Sequence, residues 1–193
     1  MNKCRHIFAS ALILLGFIVL SAPANAYEVK FINSSGVAFD AIESQQYDEA
    51  IDQLRAMIAE KSPKMDIQLA NLCTALVVSN RLEEAKSACD QAANNRGRYL
   101  STVLNSRGVM NVLQGDFEAA IDDFSLAADK ASHPALPHHA LWAKVPGMPN
   151  RSTPDSTYHE IADLAMQNYA KADKRWAAIR ATEAESLKAS VSD

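Results

Sequence analysis

Apolar residues recur at helical spacing along most of the chain. In Tyr47-Asp48-Glu49-Ala50-Ile51-Asp52-Gln53-Leu54, a large apolar residue is followed by Ala three positions later, and another apolar residue comes four after that. The same pattern returns in Leu82 to Cys89 around Ala85, and in Phe117 to Phe124 around Ala120. The three alanines are 35 residues apart both times. Steps of three and four place such residues on one face of a helix. Each segment follows a second periodic stretch: Val37, Ala38, Ala41 and Ile42; then Leu69, Leu72, Cys73 and Leu76; then Leu104, Gly108 and Val112. Breaks fall at Pro63, Asn80-Arg81, Asn94 to Gly97 and Gly115, and Asp66 and Asp116 read as N-caps. The pattern predicts a helix–turn–helix unit repeated three times.

Two further segments differ from the repeats. From Ser156 to about Ala189, Ile161, Leu164, Ala165, Ala172, Trp176 and Ile179 form an apolar stripe with charges opposite, and Thr157 with Glu160 reads as a capping box. This predicts a long C-terminal helix. Residues 132–155 hold five of the seven prolines and three of the five histidines, which predicts a connector. At the other end, Lys3, Arg5 and His6 precede an apolar run from Ile7 to Leu20, and Ala24-Asn25-Ala26 follows a break at Ser21-Ala22-Pro23. This is the pattern of a secretory signal peptide cleaved after Ala26. The run is shorter than the ~20 residues of a spanning helix, and Cys4 precedes it, so nothing supports a lipid anchor. The expected location is the periplasm, with a secreted protein as the alternative. In the latter case Asn33-Ser34-Ser35 and Asn150-Arg151-Ser152 would be glycosylation sites.

Composition agrees with a helical globular chain: 48% of the 193 residues are apolar, 22% are charged and only 7% are aromatic. Loss of Lys3 and Arg5 with the signal peptide takes the formal charge from −4 to −6. A mildly acidic chain has no generic attraction to nucleic acid or anionic lipid.

The repeated unit resembles the tetratricopeptide repeat family. The third unit carries the likeness furthest, with Asn105-x-Arg107-Gly108, Gly115-Asp116-Phe117, Ala120-Ile121, Asp123-Phe124 and Ala127. Ala38, Cys73 and Gly108 fall where the family places a small residue on the first helix, and Ala50, Ala85 and Ala120 where it places one on the second. The departures are the 35-residue period in place of 34, Ser34 at an aromatic position and Asn111 at a Tyr position. The resemblance implies an all-α solenoid of hairpins at about 31–63, 66–97 and 101–133, within a repeat region 27–133. A Pro/His-rich connector (134–155) and a capping or interaction helix (156–193) follow.

Two cysteines, Cys73 and Cys89, remain after signal cleavage. An even pair in an oxidising compartment reads as a disulfide. Cys73 lies seven residues before the Asn80 turn and Cys89 nine after it, so the two stand at similar height on facing helices.

Motifs of enzymes are absent: there is no G-x-S-x-G, no Gly-rich phosphate loop and no H-E-x-x-H. No catalytic residue, metal ligand or cofactor is expected. His133, His138 and His139 would serve a metal-dependent enzyme, but their spacing does not meet the demands of a zinc site. Family members bind partners mainly through the first helix of each repeat. By register the resemblance implies a groove lined by Phe39 and Ile42, by Ile67, Asn71, Thr74 and Val78, and by Thr102, Asn105, Val109 and Leu113. The lining is poor in Lys and Arg, which disfavours a clamp for a terminal carboxylate. The expected function is an exported adaptor that binds a peptide or helix of a cell-envelope protein, with Asn71 and Asn105 bonding its backbone. Three alternatives stay open. The C-terminal helix fills the groove itself, it makes a homo-oligomer through Trp176 and Ile179, or the His-rich connector serves a metal-dependent enzyme.

Overall fold

The computed structural model describes residues 27–32, 37–61, 63–95, 98–132 and 155–191. These residues are all-helical in their regular structure. Among the described residues seven helices follow in order: α1 (Val37–Glu43), α2 (Tyr47–Ala59), α3 (Met65–Val78), α4 (Leu82–Asn94), α5 (Leu100–Gln114), α6 (Phe117–Ser132) and α7 (Asp155–Val191). Residues 1–26, whose pattern is that expected of a signal peptide, and His133, His138 and His139 lie outside the described residues.

Each helix packs on the next in the chain. In addition α3 packs on α5, and α5 on α7, so these three form one layer with α4 and α6 against it. The burial pattern follows. α2 and α4 bury a single stripe, centred on Ala50 and Ile51 and on Ala85 and Cys89. α3 is buried at every position from Gln68 to Val77, and α5 is nearly as enclosed. A helix buried all round needs cover on both sides.

The turns that close the hairpins share one geometry. Gln45, Asn80 and Gly115 all take left-handed backbone, with φ of 59°, 56° and 85°. In each case the next N–H (Gln46, Arg81, Asp116) reaches back five residues, to the carbonyls of Ala41, Leu76 and Asn111. This is a Schellman closure, whose left-handed position belongs to Gly because a Cβ there crowds the chain. Gln45 meets that strain without the compensation of a Gly. Gln45→Gly is therefore expected to stabilise the fold by about 0.5–1 kcal/mol, after the entropy of the unfolded Gly is set against the relieved strain. Thermal melts of the two chains check it, and a lower melting temperature in the variant would contradict it.

The helix starts differ in detail from the sequence expectation. Asp116 caps α6 through Ala119 N–H at 3.1 Å. Asp66 does not cap α3. That helix starts at Met65 with Lys64 at the cap position, and the Asp66 carboxylate accepts from Ile67 N–H within the first turn. α7 starts at Asp155, so Thr157 is already inside its first turn. Among the described residues Phe31 and Ile32 are not helical, and the first helix begins at Val37.

Close packing of α5 on α6 rests on Gly108. A Cβ there would stand 2.6 Å from Cε1 of Phe124, a ring that is fully buried. Gly108→Ala is expected to cost about 1–3 kcal/mol, because the ring has no room to withdraw. Urea unfolding measures this; an unchanged midpoint would mean that the two helices separate freely. Beside this contact, Arg107 grips both oxygens of Asp123 at 2.9 and 2.6 Å and reaches Asp90 on α4 at 3.1 Å. Asn111 adds a bond to Asp123 at 3.0 Å. The hydrogen bonds and charge of Asp123 hold the Arg107 guanidinium above its usual pKa, and its bonds to Asp123 and Asp90 tie α4, α5 and α6.

Cys73 and Cys89 form a disulfide between α3 and α4, with their Cα atoms 4.6 Å apart. Both are fully buried.

Candidate functional site

The cover over the α3/α5/α7 layer is the segment Tyr27–Ile32. It has no helical backbone, and it is held by three asparagines, one from each helix. From α3, Asn71 accepts the Ile32 N–H through Oδ1 at 2.8 Å and donates through Nδ2 to the Ile32 carbonyl at 2.9 Å. From α7, Asn168 does the same at Glu28, accepting its N–H at 3.2 Å and donating to its carbonyl at 2.7 Å. From α5, Asn105 donates to that Glu28 carbonyl at 3.0 Å, while its Oδ1 accepts from Asn168 Nδ2 at 3.0 Å. All three side chains are at most 1% exposed. A side-chain amide has one acceptor and one donor edge, so it pairs with a residue's N–H and C=O as a neighbouring strand does.

The geometry requires an extended occupant. Glu28 is bonded on α5 and α7, and Ile32 on α3, so four residues must cross one helix spacing. Packed helices are ~8–10 Å apart. Four residues cover about 13 Å when extended and only about 6 Å as a helix.

Side chains of the segment add to this hold. Tyr27 is buried, its ring stacked on Phe124 with centroids 6.3 Å apart. Burial pushes its hydroxyl pKa up, and the nearby charge of Arg175 offsets part of that. Phe31 stacks on Tyr47 at 6.0 Å, Lys30 pairs with Glu160 of α7, and Ile32 is buried. The Glu28 side chain is exposed, so that residue is read through its backbone alone.

The residues expected to line a groove separate into three groups. Asn71 and Asn105 contact the segment's backbone directly. Ile42, Val109, Thr102 and Thr74 are buried, and Phe39, Ile67 and Leu113 pack half-buried on the core. The Thr74 hydroxyl bonds Ser106 at 2.8 Å and the Ala70 carbonyl at 3.1 Å, so it ties α3 to α5. Val78 is exposed at the end of α3. The C-terminal helix does not fill this face: α7 forms one of its walls, and residues 27–32 fill it.

Two participants escaped the sequence reading. Asn168 sits within the apolar stripe of α7, between Ala165 and Ala172, and a polar residue on a buried stripe was the available signal. Tyr27-Glu28-Val29-Lys30-Phe31-Ile32 mixes apolar and charged residues with no helical period, but its docking position left no mark in the sequence.

Elsewhere on α7, Trp176 stacks on Phe117 at 6.0 Å, with Arg175 over the Phe117 ring and Arg180 over Trp176. From Ala181 to Ser190 every residue is exposed. Among the described residues no three His, Cys, Asp or Glu side chains gather as metal ligands would, and no helix is long and apolar enough to cross a membrane. Comparison of the chain with protein-family models, with curated proteins and with solved structures finds no match.

Proposed function

We propose that this chain is an exported, tetratricopeptide-like adaptor that binds an extended segment of another cell-envelope protein along the α3/α5/α7 face. The recurrence of Ala50, Ala85 and Ala120, all fully buried, supports the repeat reading. So does the shared closure at Gln45, Asn80 and Gly115. In this reading the first half of α7 acts as the first helix of a further, incomplete unit, because it carries Asn168 beside Asn105.

One observation carries the binding reading: three buried asparagine amides are aimed at the main chain of an extended peptide. A helical partner would not suit them, since its N–H and C=O groups are already bonded within the helix. An extended peptide offers both groups free.

The test is a library of extended peptides displayed against the full exported chain, read by the side-chain amide NMR signals of Asn71, Asn105 and Asn168. Enriched peptides are expected to move those signals and to lose affinity for an Asn71→Leu/Asn168→Leu chain. Peptides that bind both chains equally and leave the signals in place would refute the proposal.

A further inference from the structure

Tyr27–Ile32 already fills the site that the adaptor reading assigns to a partner. Resting on that reading, we infer that this segment is an intramolecular placeholder. The true ligand is an extended peptide of the same pattern, with an aromatic residue first, a basic residue fourth and an aliphatic residue sixth, and it binds by displacing residues 27–32.

The pattern comes from what the site touches. The first position lies against Phe124, where Tyr27 stacks and is buried. The fourth faces Glu160, which Lys30 pairs with. The sixth is the buried position of Ile32, gripped on both backbone edges by Asn71. The second is held only through its N–H and C=O, so its side chain is free to vary.

Exchange, and not simple release, follows from what the segment covers. If it left without replacement, Asn71, Asn105 and Asn168 would take water in place of its main chain, keeping only the bond between Asn168 and Asn105, and the apolar surface under Tyr27 and Ile32 would be exposed. Exposed apolar surface makes the empty site a poor state. Another extended main chain of like side chains restores both the bonds and the cover. The placeholder also sets a threshold. Four residues join Ile32 to α1, which keeps the segment near its site at an effective concentration on the order of millimolar. A ligand must exceed that by concentration or by better contacts.

The experiment starts from the full exported chain with a protease site inserted between Ile32 and Val37, cut after folding. The probe is a fluorescent synthetic peptide of sequence Tyr-Glu-Val-Lys-Phe-Ile. The cut chain is expected to take up the probe, and the uncut chain to bind it more weakly by the ratio of the millimolar local concentration to the probe's own dissociation constant, about 100-fold for a constant near 10 μM. Probes carrying Tyr27→Ala or Ile32→Asp should bind at least tenfold more weakly, and Glu28→Gln equally well. A second measurement covers the case in which the cut chain unfolds. On the uncut chain, excess probe should accelerate hydrogen exchange at the Ile32 and Glu28 amides.

A cut chain that stays folded, retains its own segment and refuses the probe would overturn the inference. So would unchanged protection of the Ile32 amide in excess probe. Dimers that swap this segment between copies, with no probe uptake, would overturn it in favour of exchange with a second copy. Library peptides of unrelated pattern that move the three asparagine signals would overturn the inference alone and leave the adaptor reading standing. Failure of library and probe together would end both.

Discussion

Asn71→Ala is expected to lower the stability of the folded chain by about 2–4 kcal/mol. The figure combines two lost hydrogen bonds, at about 0.5–1.5 kcal/mol each, with the desolvation of the Ile32 groups they leave behind. The magnitude rests on burial: Asn71 is 1% exposed and Ile32 is 9% exposed, so water does not readily replace the amide. The companion Asn71→Asp separates the two edges. It keeps an acceptor for the Ile32 N–H but sets a carboxylate oxygen against the Ile32 carbonyl, so it should be no less harmful than Ala. Urea unfolding, with hydrogen exchange of the Ile32 amide, measures both. A loss under about 0.5 kcal/mol for Asn71→Ala would place the pair among ordinary surface contacts and contradict the clamp.

The second large effect belongs to the disulfide. The bond spans 16 residues of sequence from Cys73 to Cys89. Loop-closure entropy for a ring of that size is worth about 3 kcal/mol, through restriction of the unfolded chain. Cys73→Ala/Cys89→Ala should unfold at correspondingly lower urea, and reductant should weaken the parent chain while leaving the variant unchanged. Ala is the replacement of choice because both positions are fully buried among apolar neighbours, where Ser would strand a hydroxyl. Equal stability of the oxidised and reduced parent chains would contradict the expectation.

Between these two sites lies most of what the chain's own pattern made legible. The steps of three and four around Ala50, Ala85 and Ala120 announced helices, because burying one face demands that spacing. Asn80 and Gly115 announced turns, because few residues tolerate left-handed backbone. Gln45 announced nothing, and there the fold imposes the conformation in spite of the residue. Cys73 and Cys89 were legible as a pair, since their distances from a common turn placed them level. Asn71 and Asn105 were placed on one face by register, and the structure directs both at the main chain of the chain's own residues Ile32 and Glu28.

The occupant of that face was not legible. Tyr27–Ile32 meets Asn168 across 140 residues of sequence. No local period records such a contact: the alternation of Tyr27, Val29 and Phe31 with Glu28 and Lys30 suits an extended segment but carries no mark of where it docks. Asn168 was hidden for a related reason: on α7 alone it interrupts an apolar stripe, and only the arrival of Glu28 and Asn105 gives its amide a purpose.

By itself, then, the sequence determined the helices, their turns and the level of the two cysteines, because each depends on neighbours a few residues away. Tertiary structure decided which helices share a layer, which asparagines converge, and that the chain's own first residues after the expected cleavage site lie over them. Those outcomes depend on buried amides finding main-chain partners from distant segments, and burial is a property of the assembled fold.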